Sequence, residues 1–200
     1  MTTQTPAATL RLALLPRTGL LTDALLVVAG TAFVALAAQV SIPLGFTPVP
    51  LTGQTFAVVL VGAALGSVRG AASLMLYLVV GIAGVPVYAQ HKHGWTVFSG
   101  ATGGYIVGFV AAALLTGWLA ERHWDRRFST SLGAMLTGNV VIYATALPWL
   151  HHYLHASWAT TLEDGLYPFV AGDMIKVYLA AAALPGAWRL VGAAERRTGR

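Results

Sequence analysis

Long apolar runs separated by short polar or proline-rich breaks organise the chain. A transmembrane helix needs about 20 mainly apolar residues, and four runs meet that requirement: residues 20–42, 103–120, 132–150 and 169–190. The stretch 51–87 is interrupted only by Ser67, Arg69 and Gly70. It reads as two shorter helices, 52–66 and 70–85, joined by a tight turn at Arg69. Pro43, Pro48 and Pro50 end the first helix and open a loop, and Pro86 closes the third. Pro168 suits the first turn of the sixth. The pattern therefore predicts an all-α membrane protein, a bundle of six transmembrane helices.

The placement of basic residues gives that bundle an orientation, because cytoplasmic loops carry the excess of Lys and Arg. With the N-terminus inside, six helices put Arg11, Arg17, Arg69, Arg122, Arg126, Arg127, Arg189, Arg196, Arg197 and Arg200 on the cytoplasmic side. Lys92 falls in an outer loop and Lys176 within a helix. A five-helix count scrambles this partition. The expected organisation is a cytoplasmic N-terminal segment over residues 1–19, a six-helix transmembrane domain over 20–192, and a basic cytoplasmic tail over 193–200. Both termini are then cytoplasmic. A secretory signal is the competing reading of the first apolar run, since Arg11 and Arg17 precede it and Ala35-Leu36-Ala37 has small residues at cleavage spacing. The run continues through Ile42, however, and losing this helix inverts the charge partition.

Composition narrows the class. Only 10% of residues are charged and 56% are hydrophobic, against roughly 25% charged in soluble domains. The formal charge of +5 is spread over helix ends, so it marks orientation in a bilayer and not a nucleic-acid groove. The absence of cysteine removes disulfides, thiolate metal sites and a Cys nucleophile. No G-x-x-x-x-G-K-[ST], G-x-S-x-G or H-E-x-x-H occurs in the sequence. The chain is not expected to be an enzyme, and any ATP that drives it is hydrolysed by another polypeptide.

Chemistry concentrates toward the outer face. Asp173 and Lys176 lie within the last apolar run, where ionisable groups are expensive and point to a site. At i and i+3 they share one helical face. The alternative is an ion pair with Lys176 snorkelling to the interface. Gln54 and Asn139 are amides at positions where leucine is cheaper, suited to a ligand or to bridging helices. Tyr88, Trp95, Phe98, Tyr105, Tyr143 and Trp149 fit either an apolar pocket or an interfacial aromatic belt. His151 and His155 have the i, i+4 spacing of metal ligands, but no carboxylate stands at ligand spacing and no metal site is expected. Gly62, Gly66 and Gly70, then Gly100, Gly104 and Gly108, recur every four residues, as close helix packing requires.

Four motifs occur in order: Pro48-Val49-Pro50-Leu51-Thr52-Gly53-Gln54-Thr55, Gly81-Ile82-Ala83-Gly84-Val85-Pro86-Val87-Tyr88, Thr102-Gly103-Gly104-Tyr105-Ile106-Val107-Gly108-Phe109, and Gly172-Asp173-Met174-Ile175-Lys176. Together they resemble the BioY family, the biotin-specific S components of energy-coupling-factor (ECF) transporters, over residues 20–190. The resemblance implies six helices, a biotin pocket near the outer face, and partnership with a transmembrane coupling subunit and two ATPase subunits in a prokaryotic plasma membrane. It implies that Asp173 and Lys176 hold biotin, joined by Gln54, Tyr88, Gln90, Gly104, Tyr105, Asn139 and Tyr143. No cofactor belongs to the chain itself. Two departures stand out. The loop reads Gln90-His91-Lys92-His93-Gly94-Trp95, with Ala101 before Thr102, where the family has a glycine-rich loop and a proline. Alanines of the first helix fall at threes, Ala29, Ala32, Ala35 and Ala38, where S components show A-x-x-x-A. The rival readings are a biotin facilitator or secondary carrier acting alone, and an S component for another vitamin or a metal ion. Nickel and cobalt S components resemble one another in an N-terminal histidine, and this chain has none before His91.

Overall fold

The computed structural model describes residues 9–14 and 19–198. Arg17 and Arg200, like most of the predicted N-terminal segment, lie outside the described residues. The path begins with α1 (Leu10–Leu14) and α2 (Leu20–Gln39), then a two-stranded antiparallel hairpin of β1 (Ser41–Ile42) and β2 (Leu51–Thr52). Next come α3 (Gln54–Leu65), α4 (Ser67–Ile82), a 3-10 turn at Ala89–His91 and α5 (Trp95–Phe98). The chain closes with α6 (Gly103–Glu121), α7 (Phe128–Leu154), α8 (Trp158–Gly165) and α9 (Tyr167–Thr198).

Among the described residues, four helices are long and apolar enough to cross a membrane: α2, α6, α7 and α9. The apolar α3 and α4 are shorter, at 12 and 16 residues. Helix α6 is the axis of the bundle, packed on α3, α4 and α7, with 67% of its apolar window buried. Helix α2 is peripheral, with 17% buried, and keeps Leu25, Val28, Phe33 and Leu36 exposed. Such an apolar exterior suits lipid and not water, where large exposed apolar patches are rare. This is a helical membrane protein.

The break in the 51–87 stretch falls at Gly66 and not at Arg69, correcting the sequence-based expectation. Gly66 has φ 88° and ψ 172°, a region open essentially to glycine alone. Glu121 on α6 then accepts from the backbone N–H and hydroxyl of Ser67, both at 2.8 Å, which satisfies and charge-stabilises the N-terminus of α4. Arg69 lies inside α4, where its Nε and Nη2 donate to Asp23 at 2.7 and 2.9 Å. Arg11 of α1 donates to the same carboxylate at 2.8 Å. Helices α3 and α4 meet backbone to backbone: a Cβ at Gly70 would stand 2.7 Å from the Gly62 Cα.

Helices α7 and α9 extend beyond the predicted spans, α7 at both ends and α9 from Tyr167 to Thr198. Each carries an internal proline, Pro148 and Pro185. The hairpin and α8 lie largely in the connections between the predicted helices. The arginine ion pairs and Glu121 mark one end of the bundle. The hairpin, the 3-10 turn, α5 and α8 gather at the other.

Candidate functional site

At that second end lies a cavity of about 380 Å³, within the range that holds small-molecule ligands. Its walls come from chain segments far apart in sequence. The hairpin loop and the start of α3 supply Pro48, Thr52, Gln54 and Thr55. The α4–α6 connection supplies Tyr88 and Lys92, α6 gives Tyr105 and Phe109, α7 gives Tyr143, and α9 gives Phe169, Asp173 and Lys176.

The polar centre of the cavity is Asp173, 3% exposed. Its Oδ1 accepts from Lys176 Nζ at 2.9 Å and from Thr55 Oγ1 at 3.1 Å. Its Oδ2 accepts from the Tyr143 hydroxyl. Lys176 Nζ also reaches Thr55 Oγ1 at 3.4 Å. The acid and base thus pair with each other, and both residues lie in the cavity wall. Burying a carboxylate is costly unless its oxygens are hydrogen-bonded, and here both have donors.

Gln54 reaches the cavity from the first turn of α3, anchored by donating Nε2 to the Tyr77 hydroxyl at 2.7 Å. Tyr77 donates in turn to the Val87 carbonyl at 3.1 Å. This relay ties α3 and α4 to the loop after α4, and nothing in the sequence distinguished Tyr77 from ordinary core. The Tyr105 hydroxyl donates to the Gly165 carbonyl at 2.6 Å, tying the end of α8 to a residue of the cavity wall. Its ring meets that of Tyr143 edge-on, with centroids 6.2 Å apart. Tyr88 is buried against Gly81, where an added Cβ would lie 2.2 Å from its ring, and its hydroxyl donates to the Leu78 carbonyl at 2.8 Å. Burial pushes its phenol up to about 12, so it remains a neutral donor.

The site therefore offers an anionic acceptor beside a cationic donor, in a chamber walled by aromatic and aliphatic groups. It presents no nucleophile activated by a base. Such a set can hold a neutral cyclic amide or urea at both its N–H and C=O edges.

The family model of the BioY family matches residues 2–193. The chain belongs to the BioY family. Its relatives include the biotin transporter BioY of Thermotoga maritima, 39% identical over 76% of this chain and 86% of that one. The biotin transporter BioY of Rhizobium etli is 36% identical over 74% and 82% of the two chains. The crystal structure of the S-component for biotin from an ECF-type ABC transporter superposes with a TM-score of 0.75, at 24% identity, over 84% of this chain and 92% of that one. The fold of that S-component is thus shared.

Of the residues that the resemblance implies hold biotin, Gln54, Tyr88, Tyr105, Tyr143, Asp173 and Lys176 line the cavity. Gln90, Gly104 and Asn139 do not lie in its wall. Gln90 is exposed on the loop, with φ 61°. A Cβ at Gly104 would stand 2.4 Å from the Trp149 Cβ, so this glycine lets α7 close on α6. Asn139 is buried on α7, and its Oδ1 has no partner among the described residues. Thr55 and Lys92 join the wall, of which Thr55 carried no signal beyond its place in the first motif.

Proposed function

We propose that this chain is a biotin-binding S component, which captures the vitamin from outside the cell and delivers it inward with ECF partner subunits. The observation that carries the reading is the Asp173 carboxylate, held by Tyr143, Thr55 and Lys176 at a cavity in a member of the BioY family. Asp173 accepts from a ureido N–H and Lys176 donates to the ureido oxygen, both bonds strengthened by charge. Phe109 and Phe169 flank the aliphatic part of the ligand. The exposed Lys92 faces the valerate carboxylate at the mouth, opposite the buried Asp173. Gln54, Tyr88 and Tyr105 complete the wall, and Gln90, Gly104 and Asn139 support it from outside.

In this reading α2, α3, α4, α6, α7 and α9 cross the plasma membrane of a prokaryote, with residues 1–19 and 193–200 cytoplasmic. The arginines at the end opposite the cavity support that orientation. A transmembrane coupling subunit and two ATPase subunits supply the energy, which accords with the lack of a P-loop in the sequence.

Isothermal titration of the detergent-purified chain with biotin and a panel of other vitamins tests the cargo. Saturable one-to-one binding of biotin alone is expected, and a chain that takes another vitamin in preference overturns the assignment. Biotin uptake by this chain in cells without ECF ATPases would identify a stand-alone carrier instead.

A further inference from the structure

Gln39, the last residue of α2, lies outside the cavity wall yet touches the loop that forms part of it. Its Nε2 donates to the Tyr88 carbonyl at 3.2 Å and the Val87 carbonyl at 3.4 Å, besides its own helix at Ala35 (3.0 Å). Its Oε1 accepts from the His91 N–H at 3.0 Å. One side chain thus engages the loop at both ends of the turn 87–91. That loop contributes Tyr88, Ala89 and Lys92 to the cavity.

The loop does not rest in an ordinary conformation. Gln90 and His91 have φ of 61° and 56°, two consecutive side-chain-bearing residues in the left-handed region, where single visits are uncommon. Such geometry persists where the surroundings over-determine it. Two internal bonds, Tyr88 N–H to the Lys92 carbonyl and Lys92 N–H to the Ala89 carbonyl, close the turn. Val87 N–H also donates to the Val85 carbonyl at 2.7 Å, and among the described residues the side chains that hydrogen-bond to the 87–91 backbone are those of Gln39 and Tyr77. The clasp is mounted on α2, the least enclosed of the long helices.

We infer that Gln39 is a positioning residue, a clasp that holds the strained 87–92 loop over the cavity and so sets how long a captured ligand stays. A shift of α2 at this end withdraws all three bonds to the loop together and leaves the strained turn free to relax outward. The retention role rests on reading the cavity as the biotin site, whereas the holding of the loop does not.

The test uses the full chain in detergent, with Gln39→Ala and with Gln39→Met, which keeps the side-chain volume while removing both polar ends. Hydrogen exchange of the 86–92 backbone is followed in the ligand-free protein, and release of labelled biotin is followed after a chase with unlabelled biotin. Both variants are expected to exchange faster through 86–92 than wild type and to release biotin on the order of tenfold faster, since several modest bonds are lost. Unchanged exchange in both variants overturns the clasp. Faster exchange with an unchanged release rate overturns the retention role. If the wild-type chain binds no biotin, the cargo assignment falls, and the exchange comparison still decides whether Gln39 holds the loop.

Discussion

The Tyr143 hydroxyl on α7 donates to Asp173 on α9, joining two helices at the point where both face the cavity. The carboxylate is thereby aimed before any ligand arrives, and preorganisation of this kind lowers the cost of binding. Tyr143→Phe should keep the fold while weakening biotin roughly tenfold, the worth of one charge-assisted bond. Titration of the purified variant measures this, and a change below about twofold would assign the hydroxyl to packing alone.

The Asp173–Lys176 pair can be separated into its structural and recognition parts. Asp173→Leu leaves a mostly buried ammonium without its partner and should cost about 3 kcal/mol of stability or more. Adding Lys176→Leu removes the stranded charge, so the double variant should melt closer to wild type. Neither variant should bind biotin at concentrations about 100-fold above those that saturate wild type. Recovery of binding along with stability in the double variant would show that the pair serves the fold only.

Close approach of α3 and α6 depends on Gly62, where a Cβ would meet the Ala113 carbonyl at 2.5 Å. Backbone cannot move aside as a side-chain tip can. Gly62→Ala should therefore lower stability by about 1–3 kcal/mol. Gly45→Ala, with nothing within 4 Å of the added atom, should leave it unchanged or slightly higher. Thermal melts of the two single variants in one detergent make the comparison, and equal melts would remove the packing argument.

Asp125, in the α6–α7 loop, is buried, with Oδ2 accepting from Trp188 Nε1. Burial holds its carboxyl above the ordinary value of 3.8, outweighing the Trp188 bond that favours the anion. Ionisation then weakens the folded state, so this group's contribution to stability falls as pH rises through the raised value and is constant above it. Asp125→Asn cannot ionise. It should melt higher than wild type near neutral pH, with the gap closing as pH falls to about 4. A gap that widens on acidification would reverse the sign and refute the account.

The legible parts of this protein were those in which a residue contradicted its surroundings. Asp173 and Lys176 stood out because charge is costly in an apolar run, and Gln54 because an amide is. The long helices announced themselves by length. Thr55 and Tyr77 did not, since a threonine in a helix and a tyrosine in a core are unremarkable until their hydroxyls are seen to have partners. The turn belongs to Gly66 and not to Arg69 because backbone conformation decides a turn, and only φ reveals it. The β1–β2 hairpin and α8 are too short for periodicity to register. Asn139 has the same chemistry as Gln54, but sits on α7 a helical turn before Tyr143 and outside the cavity wall, a difference of register that composition cannot express.

Helix α3, at 12 residues, rises about 18 Å, while the hydrocarbon slab of a bilayer is about 30 Å thick. The helix is enclosed by its neighbours, with Ala57, Val58, Val59, Val61, Gly62 and Ala63 all buried. Its Gln54 end meets the cavity, with Gln54 and Thr55 in the wall. Extending α3 by a turn at its Gln54 end would consume the β2 residues and take Pro50 and Thr52 out of that wall, so the shortness of the helix leaves the chamber a side built from loop.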